Sequence, residues 1–356
     1  VTTNKPKLSI ILVTWDRRDE LKKLLEKLDD QSIRNQCQLI IVDNGSIDGT
    51  LEMLRAWPKP LMLIKNSKNV GPAIGRNQGI KKADAEYCCF IDTDAWPVET
   101  DILERMVSHL DANPKSCGAS CFIYLNEEKT EVFCKGCYFN ENGHFDPERT
   151  FNQHEDPDYL TTCFAVYRRG DLVRGKGFDP YYGYGIEDGD LGMTVKKLTG
   201  GKYHVDPERS IIHEMSMAGR EHHWSAFNQK FCYLEWNRQY FLVKHYGPIY
   251  FLRKAIEIGK NRGFLESWYK HPITKWQKIK ALGLYPLATL LMMPYITVQH
   301  MKNHLMQASV SSDQVEVIVP QPQAKPQPAA AEPKANDKPA ETTGEFSYSA
   351  FDEEKK

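Results

Sequence analysis

Tyr87-Cys88-Cys89-Phe90-Ile91-Asp92-Thr93-Asp94-Ala95-Trp96-Pro97 is a short apolar run that ends in two aspartates. Cys88 to Ile91 carry no helical period and predict a buried strand, which Pro97 closes. Asp92 and Asp94 are two apart, so in extended chain their carboxylates share a face. Two anionic oxygens at the carboxyl edge of a sheet suit a hard divalent cation carrying phosphates. A strand followed by an acidic turn is the plainer alternative, and the D-x-D spacing alone does not separate the two.

The chain before this stretch alternates strand and helix. Leu8 to Val13 is apolar apart from Ser9 and predicts a central parallel strand. Leu21, Leu24, Leu25 and Leu28 recur at helical spacing. Leu39 to Val42 predicts a second strand, and Asp43 to Thr50 is a turn-rich loop entering a helix with Leu51 and Leu54. Leu61 to Ile64 predicts a third strand, and Asn69 to Ile80 a loop that enters a helix. This alternation argues for βαβ units and a parallel sheet, in which ligands bind beyond the carboxyl ends of the strands. Trp15, Asp43 and the Asp92/Asp94 pair all fall at such ends.

Beyond Trp96 the alternation weakens. Ile102 to Leu110 predicts a helix, Cys117 to Phe139 strands with turns, Asn140 to Asp158 a polar loop, and Tyr159 to Tyr167 a strand. Arg168 to Asp171 reads as a tight turn, and Met193 to Leu198 as a helix. Ile211-Ile212-His213 ends a further strand, and Met215 to Trp224 suits a mobile loop. From Phe227 the pattern is helical and aromatic-rich. Ten Lys/Arg against two Glu fall between Lys244 and Lys302. Pro286 and Pro294 break the apolar run Ala281 to Val298, which fits an interfacial helix pair better than a span. From Ala308 the Pro/Ala/Lys/Glu composition predicts a disordered tail. The expected domains are therefore 1–235, 236–307 and 308–356.

The 356 residues are 41% hydrophobic and 26% charged, a globular composition. A net charge of −1 gives no global basic field, which argues against nucleic acid as a partner. Nine cysteines and a polar Val1 to Lys7 fit free thiols, no signal peptide and a cytoplasmic protein. Cys117, Cys121, Cys134 and Cys137 are loosely spaced like zinc ligands, but their strand-like neighbours favour small buried thiols.

Four motifs stand in order: Val13-Thr14-Trp15-Asp16-Arg17, Val42-Asp43-Asn44-Gly45-Ser46-Ile47-Asp48-Gly49-Thr50, Gly75-Arg76-Asn77-Gln78-Gly79 and Asp92-Thr93-Asp94, followed by Glu187-Asp188 and His213. In this order they resemble the family 2 inverting glycosyltransferases, including rhamnosyl- and galactofuranosyltransferase-like members, over residues 6–235. The resemblance implies an α/β GT-A fold, Rossmann-like, with a mostly parallel central sheet and flanking helices. It implies a nucleotide-diphosphate sugar donor, Mn2+ or Mg2+, and a glycan or lipid-linked acceptor in polysaccharide or glycoconjugate synthesis.

By that resemblance Thr14, Trp15, Arg17, Asp43, Arg76, Asp92 and Thr93 line the donor. Trp15 stacks on the base, Asp43 accepts its N–H, and Arg76 reaches the base or the diphosphate. Asp92, Asp94 and His213 hold the metal. Asp188 is the base on the acceptor side with Glu187 beside it, two adjacent carboxylates that raise one another's proton affinity. Asp190 competes for that role. Asp16 stands where many members carry Asn, and Trp96 and Tyr182 offer an aromatic wall for an acceptor ring. A sugar nucleotidyltransferase would carry a glycine-rich first loop, absent from Thr14 to Arg18. A non-catalytic binding module would not need every one of these positions filled. The basic stretch 253–302, with Trp268, Tyr269, Trp276 and Tyr285, fits docking on the inner face of an anionic membrane.

Overall fold

The apolar run Leu8–Thr14 becomes β1, paired in parallel with β2 (Cys37–Asp43) on one side and β4 (Tyr87–Ile91) on the other. The computed structural model describes residues 5–182, 185–215, 227–251, 253–254 and 314–319. β3 (Leu61–Lys65) extends the array in parallel beyond β2. The order β3-β2-β1-β4 brings the carboxyl ends to one edge, with Thr14 opposite Asp43 in register.

α1 (Arg18–Asp29) packs its Leu21, Leu24, Leu25 and Leu28 stripe into the core, as its period predicts. α2 (Thr50–Arg55) is short, and α3 (Pro72–Lys82) is buried along every residue from Ala73 to Ile80. Two glycines make that depth possible. A Cβ on Gly79 would lie 2.3 Å from Ile11 Cγ2, and one on Gly75 would lie 2.9 Å from Val13 Cγ1. The glycines of the Gly75–Gly79 motif thus set α3 against β1 at a distance no side chain allows.

Past β4 the sheet is mixed, so the expected mostly parallel order is confined to its first half. β8 (Phe164–Arg168) runs antiparallel to β4, β6 (Ser116–Tyr124) antiparallel to β8, and β9 (Lys202–His213) parallel to β6. β5 (Ala95–Pro97) closes antiparallel on β9, and β7 (Val132–Cys134) on β6. Loops carry much of the chain between β6 and β8, and antiparallel pairing needs no crossover helix.

Other local expectations shift. α5 (Pro147–Asn152) lies inside the expected polar loop, capped by Asp146 on the Arg149 N–H. α6 (Arg169–Arg174) replaces the expected tight turn. α7 (Glu187–Thr199) starts at the acidic cluster, ahead of the expected Met193, because acidic residues suit a first helical turn. α4 (Ile102–Ala112) and α8 (Phe227–Tyr246) complete the helices above one turn in length. The expected boundary at 235/236 falls inside α8, whose Phe241 and Leu242 are buried in the main core.

Gln314–Ile318 forms β10, antiparallel to β3 at the sheet edge, within the stretch expected to be a disordered tail. Its Val-Glu-Val-Ile alternation suits a strand, a local signal masked by the surrounding Pro/Ala composition. Glu316 pairs with Arg55, and Ile318 is buried. The rest of 308–356, the basic stretch 255–302 and the expected mobile loop from 216 lie outside the described residues. Among the described residues no helix is long and apolar enough to cross a membrane.

The contact between Gly79 and Ile11 gives a stability test. Gly79→Ala should lower the unfolding free energy by about 1–3 kcal/mol, read as a lower urea midpoint at unchanged m-value, as overpacking against a stiff, β-branched core residue requires.

Candidate functional site

The predicted residues come from the loop after β1, the end of β2, α3, the D-x-D turn after β4, the first turn of α7 and the end of β9, and the loops after β1 and β2 are stitched together. Asp16 sits in the left-handed region at φ 49° and accepts a hydrogen bond from the Ile47 N–H at 2.7 Å. Ser46 accepts in turn from the Asp16 N–H at 2.9 Å, and Asp48 from the Arg18 N–H at 2.8 Å. The Asp16 carboxylate thus pins the loop after β1 to the loop after β2, through an oxygen that an Asn would also supply. Trp15 is half-buried in the first of these loops, and Thr14 Oγ1 beneath it is buried without a hydrogen-bond partner.

Asp43 is fully buried, and its carboxylate accepts from the Gly45 and Ser46 N–H groups at 3.2 Å. That is an Asx-turn, so part of its capacity serves its own loop. Burial raises its pKa, and the bonds from Ser46 and Gly45 oppose the rise.

The D-x-D stretch is a turn, not extended chain: the Ala95 N–H donates to the Asp92 carbonyl at 3.0 Å. The expected two-residue alternation does not apply, and the aspartates take different partners. Asp94 is buried, with Arg17 Nη1 at 2.7 Å from one oxygen and His213 Nε2 at 3.5 Å from the other. Burial alone would raise its pKa; His213 and the Arg17 charge overcome this and hold it well below the usual carboxylate range. Asp92 is about a third exposed and pairs with Arg76 Nη2 at 2.9 Å. Thr93 between them is buried.

Arg76 joins the two halves of the site. Its other nitrogen, Nη1, lies 3.1 Å from Glu187 Oε1, and its guanidinium stands 5.4 Å from the Phe178 ring centroid. Burial would lower its pKa, but Asp92, Glu187 and Asp188 more than offset that and keep it charged. It was expected to reach the donor; in this structure its donor fork is engaged by protein carboxylates. Glu187 Oε2 is buried with no hydrogen-bond partner, an acceptor left open beside the cleft.

Asp188, in the first turn of α7, has its pKa raised to about 7, chiefly by burial and then by Glu187, with Arg76 acting the other way. Asp190 is committed elsewhere. It receives Lys244 Nζ and His245 Nε2 at 2.7 Å and the Tyr182 hydroxyl at 3.2 Å, which ties α7 to α8. Ile186, just before Glu187, is β-branched at φ 72°, a strained conformation at the mouth of the site. Trp96 is 2% exposed and Tyr182 fully buried, so neither forms the acceptor wall expected of it; both are packed into the core.

Cys163 went unnoticed in the sequence. Its Sγ lies 3.4 Å from Asp92 Oδ2 and 3.5 Å from His213 Nδ1. One donor atom each from Asp92, Cys163 and His213 falls within 4.8 Å of the others. Carboxylate, imidazole and thiol in that space fit a divalent ion, with Asp94 alongside through His213. No local motif marks Cys163; only the pairing of β8 with β4 brings it beneath Asp92. An open hollow of about 520 Å³ lined by Asp101, Arg105, His109, His204 and Asp206 shares none of these residues.

Residues 9–174 match the family described as Glycosyl transferase family 2. The abequosyltransferase RfbV of Salmonella typhimurium is 28% identical over 173 residues, 45% of this chain and 48% of its own. The cholesterol galactosyltransferase of Borreliella burgdorferi is 27% identical over 178 residues, 49% of this chain and 48% of its own. The chain thus spans about half the length of these curated relatives. The mannosyltransferase PcManGT from Pyrobaculum calidifontis, solved with GDP-Man and Mn2+, superimposes with a TM-score of 0.51 at 18% identity, covering 86% of this chain and 87% of that one. The shared architecture is the GT-A fold. Glu187, Asp188 and His213 lie beyond the residues matched by the family.

Asp188 offers a test that needs no substrate. A carboxyl held above its unfolded value of about 3.9 contributes stability that is complete below that value and lost as pH rises to the folded value. Asp188→Asn should therefore melt close to the wild type at pH 4. It should melt increasingly above the wild type, by a few degrees, as pH approaches about 7, with a constant gap beyond. Thermal melts across that range check it.

Proposed function

We propose that this chain, which carries a family 2 glycosyltransferase domain in residues 9–174, transfers a sugar with inversion from a nucleoside-diphosphate sugar to a hydroxyl of a glycan or lipid-linked acceptor. The observation that carries the reading is the Arg76 guanidinium, which ties Asp92 of the D-x-D turn to Glu187 beside Asp188. One buried cation thereby fixes the donor-side carboxylate relative to the acceptor-side pair. The GDP-Man and Mn2+ complex of PcManGT, a protein of similar fold, is in keeping with a nucleotide-sugar donor and Mn2+ here. A rhamnosyl- or galactofuranosyl-type donor is the finer form of the proposal.

In this reading Trp15 lies over the base and Asp43 accepts its N–H with the lone pairs its own turn leaves free. Thr14 Oγ1, buried and unpartnered, offers a hydrogen bond at the same strand end. Asp92, Asp94 and His213 would hold Mn2+ or Mg2+, which supplies positive charge against the charge developing on the departing diphosphate. Arg17 and Arg76 add fixed positive charge on the same side; Arg17 keeps Asp94 ionised, and Arg76 orients Asp92. Asp188 accepts the proton of the acceptor hydroxyl as its oxygen bonds to the anomeric carbon and the nucleoside diphosphate leaves. A carboxylate with proton affinity near neutrality suits that task. Glu187, held by Arg76, keeps one buried oxygen without a hydrogen-bond partner.

Release of nucleoside diphosphate from a panel of sugar nucleotides with Mn2+ tests the reading. Release of pyrophosphate instead would point to a nucleotidyltransferase. With the active donor, Asp188→Asn should keep donor affinity and lose about 10²–10⁴-fold in kcat. In the wild type kcat/KM should climb with pH and level off above about 7. A variant with near-normal kcat would move the base to another residue.

The basic and aromatic stretch 253–302 extends the proposal to the membrane surface, where a lipid-linked acceptor is delivered. Full-length protein should float with anionic vesicles at low salt, and a chain ending at Tyr250 should not. Equal behaviour of the two removes the membrane from the proposal.

A further inference from the structure

The geometry points to Cys163 as a metal ligand that makes this centre prefer thiophilic divalent ions such as Zn2+ and Cd2+ over Mg2+. The spacing supports it. A tetrahedral ion with metal–sulfur and metal–nitrogen bonds of about 2.3 and 2.0 Å holds those atoms about 3.5 Å apart, and with an oxygen ligand the sulfur–oxygen separation is similar. Cys163 Sγ lies 3.5 Å from His213 Nδ1 and 3.4 Å from Asp92 Oδ2. The separations match ligand-to-ligand distances, and because Cys163 Sγ also lies 4.0 Å from His213 Nε2, a turn of the imidazole would be needed to aim Nδ1 at a shared ion.

Their supports are rigid. The Asp92 N–H donates to the Cys163 carbonyl at 3.4 Å, fastening the D-x-D turn to the start of β8. The His213 ring is held edge-on to Phe133, with centroids 4.8 Å apart, and its other nitrogen faces Asp94. Cys163 is 4% exposed, so its sulfur serves the cluster and not the solvent. A metal bound here would take the place of the thiol proton, which would leave to solvent as the sulfur–metal bond forms. Mg2+ prefers octahedral oxygen and gives up water reluctantly, so a sulfur and an imidazole nitrogen in its shell disfavour it. Mn2+ tolerates the nitrogen, and Zn2+ and Cd2+ gain from the sulfur.

This inference rests on the transfer reading only for the place of the metal, and its test reads metal binding directly. Full-length protein is titrated with Cd2+ while the ultraviolet thiolate-to-cadmium charge-transfer band is followed. A band saturating at one equivalent is expected, absent in Cys163→Ser and kept in Cys137→Ser. The latter removes the Cys134–Cys137 pair, whose sulfurs are 3.6 Å apart. Cd2+ affinity should fall on the order of 10–100-fold in Cys163→Ser, while Mn2+ binding read by electron paramagnetic resonance changes less. Should Cys163→Ser fail to fold, the wild type still decides: preloading with Mn2+ should displace the Cd2+ titration to higher concentration.

No band in the wild type overturns the inference, as does an equal band in Cys163→Ser, a band lost only in Cys137→Ser, or no effect of Mn2+ preloading. Sugar transfer with Mn2+ by a protein that shows no band would overturn the role of Cys163 and leave the transfer reading standing.

Discussion

The buried guanidinium of Arg76 is the constraint on which the arrangement of the cleft depends. A cation at 7% exposure is tolerable only with anions in contact, and Asp92 and Glu187 supply them from opposite sides. The arginine reaches that position because α3 is sunk against β1, which Gly75 and Gly79 permit. Asn77, next on the helix, accepts from the Phe178 N–H and donates to the Phe178 carbonyl, fixing the segment that leads toward α7. One helix therefore sets the depth of the cleft, its charge and the position of Glu187 beside Asp188. Removing Arg76 alone would strand Glu187 in low dielectric and leave the part-exposed Asp92 unpaired, the costly way to break such a bridge.

Arg17 plays the matching part at the other aspartate. Its pairing with Asp94, together with His213, keeps that carboxylate ionised in spite of burial. The two arginines mean that the D-x-D turn is charge-compensated by the protein itself. Added positive charge at this turn finds Asp94 partly spoken for and Asp92 the more open of the two. This asymmetry gives the third exposed Asp92, beside Cys163 and His213, the better claim to first contact with an ion.

Much of the parallel half of the fold could be read from the chain, because apolar runs and leucine spacing report burial directly. The site residues at strand ends were legible for the same reason: strand ends are visible in one dimension. What escaped depends on contacts distant in sequence. Cys163 meets Asp92 only through antiparallel pairing of β8 with β4, and nothing near Cys163 records that pairing. Asp92 and Asp94 were placed on one face by strand alternation, but the chain turns at Asp92 and the reasoning does not survive the turn. Trp96 and Tyr182 carried the right chemistry for a sugar wall, and burial removes them from it. Of Asp188 and Asp190, two apart on α7, the Glu187-Asp188 pair favours Asp188 in sequence, and the cations of α8 engage Asp190.

That engagement reaches past the cleft. Asp190 holds Lys244 and His245, and Lys244 also holds Asp179, which in turn accepts from the Tyr240 hydroxyl at 2.9 Å. Asn237 donates to the Gly185 carbonyl at 3.1 Å, one residue before the strained Ile186. Contacts from α8 therefore flank Glu187 and Asp188 on both sides in sequence. The helix lies outside the residues matched by the family, yet it fixes the entry and the first turn of α7. The strain at Ile186 persists because its neighbours are held at both ends, and the carboxylate with near-neutral proton affinity stands on the turn that this bracing makes rigid. The Glu187/Asp188 half of the candidate site is in this sense built by α8, and the Asp43/Asp92 half by the strand ends of the N-terminal sheet.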